Sequence, residues 1–228
     1  MPLSPKTSFC TEDGFFVPAL PPYDGTRALG GACVLPAFPD AHSHLLAYAL
    51  SLTQADAAAC RTPQDFLRCA ERFARGQGLG AGELVVLKNA ALLPEDVAVM
   101  HGARPLLIQT RSGHAGLCNE AARRLLRLRA NVLKEREFLS AARRVPLPEG
   151  ERLRAVFCRA QDVYLSYGVT TAQEGLLSRE MFPLYEQLLP ALRLDVAAYP
   201  APEDLDEARA RFSAQAGART AAGGSLYI

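Results

Sequence analysis

Val34-Leu35-Pro36-Ala37-Phe38-Pro39-Asp40-Ala41-His42-Ser43-His44-Leu45 decides how the rest of the chain is read. An apolar run passes through a proline-rich turn to an acid, and two histidines follow two residues apart. In an extended strand the side chains alternate between faces, so His42 and His44 share one side, with origins about 6.6 Å apart, and Ser43 faces the other. Two imidazoles on one side can converge on a single cation. Asp40 lies on the histidine side, where its carboxylate would accept the second N–H of a ligand ring and orient it. Only four histidines occur in the chain, and two of them fall in this three-residue window. A bare His-x-His also reads as a pair of core or surface histidines, so its surroundings have to decide.

At 228 residues the chain makes one large domain or two small ones and buries a substantial core. Hydrophobic residues make up 49% and the formal net charge is +1, which gives no general attraction to nucleic acid or to an anionic membrane. The densest basic stretch, from Arg123 to Arg154, holds nine arginines and Lys134. It is interrupted by Glu135, Glu137, Glu149 and Glu151, the pattern of a solvated helical face. Six cysteines, at 10, 33, 60, 69, 118 and 158, show neither CxxC nor regular spacing. They read as small core residues of a reducing compartment, and with no signal pattern at the N-terminus and no apolar run of membrane-spanning length, the protein is expected in the cytoplasm.

Residues 1–33 are rich in Pro and Gly and weakly periodic, an irregular segment or a remnant of a small β domain. From 34 to 228 short apolar runs alternate with amphipathic stretches. Strands are expected at 34–44, 83–88, 105–109, 169–173, 193–199 and 225–228. Helices are expected from Pro63 to Arg75, 94–100, 119–129, 132–144, 149–167, 178–189 and 203–214. Thr62-Pro63-Gln64-Asp65 opens the first of these with an N-cap, a proline at N1 and an acid at N3. This alternation means an α/β fold with parallel strands and right-handed crossovers, five to six βα units against the eight that close a barrel. The last strand has no helix after it, so the sequence reads as interrupted.

Two further clusters follow strands. Arg111-Ser112-Gly113-His114 comes directly after 105–109, with Asn119 at the start of the next helix. His114 can polarise a carbonyl or move a proton, or it is a capping or surface histidine. Glu174 ends the strand at 169–173 and reads as a metal ligand, a proton acceptor, a substrate clamp, or simply an N-cap acid.

Three segments, in order, resemble one family. L-P-A-F-P-D-A-H-S-H-L resembles the P-G-F-x-D-x-H-x-H-L signature that ends the first barrel strand of the metal-dependent amidohydrolases. Ser112-Gly113-His114 with Asn119 is similar to an S/D-G-H-x-x-x-x-N segment, and Tyr167-Gly168-Val169-Thr170-Thr171-Ala172-Gln173-Glu174 to Y-G-[IV]-T-[ST]-x-Q-[DE]. Together they resemble amidohydrolase family 3, the YtcJ-like branch, from about residue 15 onward. Ala37 stands for the usual Gly, and Pro39, which cannot donate to a ladder, for a β-branched residue.

The resemblance implies a partial TIM-like (β/α) barrel and a hydrolase acting on amide-type C–N bonds through a metal-activated water. It implies His42 and His44 as ligands of a divalent metal, zinc first among candidates, with Asp40 behind them. It places His114 and Glu174 as catalytic residues and Asn119 near a small-molecule substrate. Family members carry further metal-binding histidines, a K-x-x-x-D-G-S strand and a late aspartate that are not found here, so the site is expected to be incomplete. The alternative is a non-catalytic barrel remnant that pairs with a like subunit or a complementary chain through open sheet edges.

Overall fold

The computed structural model describes residues 10–12, 15–17, 28, 30–33, 35–91 and 104–228. The chain divides into two compact units, Met1–Pro36 and Ala37–Ile228. In the first, β1 (Cys10–Glu12) and β2 (Phe15–Val17) pair antiparallel as a short hairpin. The segment expected to be irregular therefore holds one regular piece.

In the second unit the histidine stretch forms β3 (Phe38–Ser43), shorter than the expected 34–44, and α1 (Leu45–Ser51) follows at once with His44 as its N-cap residue. Two sheets are then built. β4 (Ala55–Asp56), β5 (Val85–Ala90), β6 (Leu106–Thr110), β7 (Ala115–Cys118) and β8 (Val132–Lys134) form one, in chain order. β4, β5 and β6 run parallel, and β6, β7 and β8 pair antiparallel. β9 (Val169–Leu177), β10 (Asp195–Pro200) and β11 (Leu226–Tyr227) form the other with β3, in the order β11-β10-β9-β3, all parallel.

The α/β expectation holds, and each of the six expected strands is found. The six expected strands do not line up in one wall. Four of them, β3, β9, β10 and β11, share the parallel sheet; the other two, β5 and β6, lie in the mixed sheet inserted between β3 and β9. The mixed sheet also holds three strands that were not expected, β4, β7 and β8, and β8 occupies the start of the stretch read as a helix from 132.

Burial explains why the two sheets differ. In the mixed sheet Val85, Leu87, Leu106 and Ile108 pack with Phe66, Ala70 and Ala74 of α2 (Pro63–Gly76). Val86 and Leu107 point the other way, to Ala122 and Leu126 around α3 (Glu120–Leu125) and Phe138 and Ala141 of α4 (Glu135–Ala142). Both faces are covered, so its strands read as continuous apolar runs. In the parallel sheet Ala172, Glu174, Val196, Ala198 and Leu226 are buried, while Thr171, Gln173, Gly175, Ala197, Tyr199 and Tyr227 alternate with them. The buried face meets α5 (Gly150–Ser166), α6 (Phe182–Leu188) and α7 (Leu205–Phe212) through Leu153, Phe157, Phe182, Tyr185 and Phe212. Parallel strands with helices packed on the buried face are the α/β arrangement expected of such a sheet.

Local chemistry sets the helix starts as expected for α2. Thr62 accepts from the Asp65 N–H, and the Asp65 carboxylate accepts from the Thr62 N–H at 2.9 Å, a reciprocal capping box. The expected helix at 94–100 lies outside the described residues.

Candidate functional site

β3 and β9 pair in register from Pro39 opposite Thr171 and Asp40 opposite Ala172, with irregularities next to Pro39 and again before Ser43, which lies opposite Glu174. Proline lacks the N–H a regular ladder needs, which accounts for the first. The second brings the end of β3 across β9 at Glu174 and Gly175.

Ser43 is buried and its Oγ lies 2.5 Å from the Tyr164 hydroxyl, so it faces away from the histidines as alternation requires. His42 is exposed, and His44, just past the strand, keeps half its side-chain surface. Their ring centroids are 5.1 Å apart with the planes at 86°. Both rings close over Gly175, where an added Cβ would lie 2.9 Å from His42 Cε1 and 3.1 Å from His44 Cε1. Glycine at 175 leaves the imidazoles the space a side chain would otherwise share.

Glu174 is 1% exposed. Its Oε2 accepts from the Tyr185 hydroxyl at 2.5 Å and from the Leu46 N–H at 3.2 Å. Among the described residues its Oε1 has no hydrogen-bond partner; it lies 3.5 Å from His44 Nδ1. Burial, with the Glu174 carboxylate beside it, pushes the Tyr185 phenol well above its ordinary range, so it stays a donor. Oriented this way, Glu174 stands behind the His44 ring. Asp40, expected behind the histidines, has its Oδ1 accepting the backbone N–H of His42 at 3.3 Å, the local bond that a short acid side chain makes two residues along.

His114 stands elsewhere, in the turn between β6 and β7 of the mixed sheet. Its Nδ1 is 3.1 Å from Glu135 Oε2, and both side chains are largely exposed. Among the described residues no hydrogen bond or ion pair joins it to His42 or His44. Asn119 is 1% exposed and is the N-cap of α3. Its Oδ1 accepts from the N–H groups of Ala122 and Leu106, and its Nδ2 donates to the Arg104 carbonyl. An amide so buried and engaged ties α3 to β6 and is withdrawn from any substrate.

The strand glycine after Glu174 and the tyrosine on an apolar helix stripe went unread in the sequence. Each carried a signal: a glycine inside a strand marks a close approach, and a buried tyrosine needs a partner for its hydroxyl. Neither signal names the partner.

The profile of the amidohydrolase family matches residues 26–224. The chain belongs to the amidohydrolase family. Solved structures similar to this amidohydrolase-family chain include an uncharacterized metal-dependent hydrolase from Pyrococcus horikoshii. At 22% identity and a TM-score of 0.64, the match covers 85% of this chain and 41% of that one. A second, an uncharacterized metal-dependent hydrolase from Pyrococcus furiosus, is 20% identical with a TM-score of 0.61, over 83% of this chain and 42% of that one. At these identities they establish the fold, and the chain spans about two fifths of the length of either. No curated protein matches it.

For a divalent metal, the donors here suit the chemistry and fall short in number. Imidazoles are good ligands, and two of them meet over the glycine floor with Glu174 Oε1 3.5 Å from His44 Nδ1. A catalytic zinc takes three protein ligands. Among the described residues no group of three or more His, Cys, Asp or Glu is placed to hold a metal ion, so the described residues do not complete such a site.

Proposed function

We propose that this amidohydrolase-family chain serves hydrolysis of amide-type C–N bonds in a small molecule, in the manner of the YtcJ-like branch. His42 and His44 are two of the donors to a divalent cation, zinc first among candidates. One observation carries the reading: at the C-terminal ends of parallel strands, the rim where (β/α) sites lie, two imidazoles meet over a residue that has no side chain. Membership of the amidohydrolase family supports it.

Within this reading each residue has a stated task. His42 and His44 supply ring nitrogens to the cation, and Glu174 stands beside His44. Among the described residues no helix is long and apolar enough to cross a membrane. The free thiols of Cys33, Cys60, Cys69, Cys118 and Cys158 suit the reducing conditions of the cytoplasm.

Titration with Zn2+ by calorimetry, alongside a panel of simple N-acyl amides, tests the proposal. Zn2+ should bind the wild-type chain, and a double variant with His42→Ala and His44→Ala should lose both that binding and any amide cleavage. A wild-type chain that binds neither Zn2+, Co2+ nor Mn2+ and cleaves no amide would defeat it.

A further inference from the structure

Beside the histidines, β9 carries one residue more than the strand it pairs with. Ala198 of β10 stands opposite Glu174 and Pro200 opposite Leu177, so Tyr199 alone faces two residues of β9, Gly175 and Leu176. A bulge of this kind re-aims the side chains it contains. With Glu174 buried, strict alternation along β9 would bury Leu176 and expose Leu177. The extra residue reverses them: Leu177 lies in the core with Ala198, while Leu176 is 52% and Tyr199 53% exposed. An aliphatic and an aromatic side chain are thus left half in water next to Gly175, the residue over which the His42 and His44 rings meet. Neighbouring strands lie about 4.8 Å apart, so Tyr199 stands one strand spacing from that glycine. Apolar and aromatic side chains beside a few polar groups, at the C-terminal ends of parallel strands, are what a small-molecule site is lined with.

Charge narrows what such a wall can take. Carboxylates are recognised above all by arginine and lysine. The strands β3, β9, β10 and β11 contain neither, and their charged residues are the acids Asp40, Glu174 and Asp195. An anionic group placed against this sheet would find no cation in it, whereas an uncharged ring would find the Tyr199 ring to stack on and Leu176 to cover its edge.

We propose that Leu176 and Tyr199 form the substrate wall beside the histidine pair, and that the group they take is an uncharged aromatic ring carried close to the amide. The inference rests on the reading of His42 and His44 as the reacting end of the site, and it names the substrate class of that site. One strand spacing between the glycine floor and Tyr199 suits a ring joined to the carbonyl directly or through one carbon.

Saturation-transfer NMR on the metal-free chain with phenylacetamide, acetamide and succinamate compares a neutral ring, no ring and a carboxylate on the same amide. Phenylacetamide should bind wild type about tenfold more tightly than either of the others. Tyr199→Ala and Leu176→Ala should each weaken it by about fivefold. A wild-type chain that binds phenylacetamide no better than acetamide or succinamate overturns the proposal, whether or not the variants fold. Phenylacetamide binding unchanged in both alanine variants overturns it as well. Ring binding that Tyr199→Ala weakens, in a chain that binds no Zn2+ and cleaves no amide, would sink the hydrolase reading and leave the wall standing. Amide cleavage indifferent to the ring and to both variants would do the reverse.

Discussion

At the scale of single residues, Gly175 makes the most exposed commitment. A methyl group there would lie 2.9 Å from the His42 ring, closer than real Cβ atoms come, and a tight 3.1 Å from the His44 ring. The atoms it meets belong to rings that reach solvent, so the rings can swing aside and the fold need not strain. Gly175→Ala should therefore cost less than about 1 kcal/mol in thermal stability and still part the histidines. Calorimetric Zn2+ affinity should fall by at least about tenfold. Unchanged affinity would mean the glycine floor has no bearing on how the rings meet. Much of this site was legible in advance: the pair His42 and His44, the opposed Ser43, and Glu174 at the rim. That Glu174 would stand beside His44 was not legible, because spacing along one strand shows which face its own residues share but not which residue of another strand comes across.

Among the elements, α3 shows how much local chemistry decides. Asn119 caps it, and the Glu120 carboxyl, hydrogen-bonded by Arg123 and Arg124, is held down to about 2 from an ordinary 4.5. A folded value below the unfolded one stabilises fully above pH 4.5 or so, and that contribution is lost as the pH falls towards 2. Because the carboxylate is exposed, salt should screen the effect. Between those pH values the wild-type chain should lose stability more steeply than Glu120→Gln, and the gap should narrow at high salt. Parallel acid-unfolding profiles would count against the Arg–Glu cluster. The helix α2 and the strands β5 and β6 were readable because the capping box and the apolar runs are local signals. The strands β7 and β8 were not. Ala115-Gly116-Leu117-Cys118 has little strand preference of its own, and it is extended because β6 and β8 bond it from both sides. Its glycine is required there, since a Cβ on Gly116 would come within 2.8 Å of both Phe138 and the Ile108 carbonyl.

In the second unit, the parallel sheet and the mixed sheet are packed by separate clusters: Phe157, Leu153, Phe182 and Tyr185 serve the first, while Phe66, Leu87 and Ile108 serve one face of the second and Phe138 the other. Truncating Phe157, fully buried on α5, should cost about 3–5 kcal/mol. Hydrogen exchange of Phe157→Ala should show protection lost first in β9 and β10 while β5 and β6 stay protected. Uniform loss through both sheets would show that the two cores melt as one.

The sequence by itself determined what depends on neighbours along the chain: the alternation of strands and helices, the capping of α2, and two histidines that come together at a strand end. Tertiary structure alone decided which strands are neighbours. β3 pairs with β9, more than a hundred residues on, while β4 to β8 fold apart as a second sheet. It also chose Glu174 and Tyr185 as the groups behind His44. The reason is physical: propensity and periodicity act over a few residues, whereas pairing and burial are settled by contacts between segments the chain itself keeps far apart.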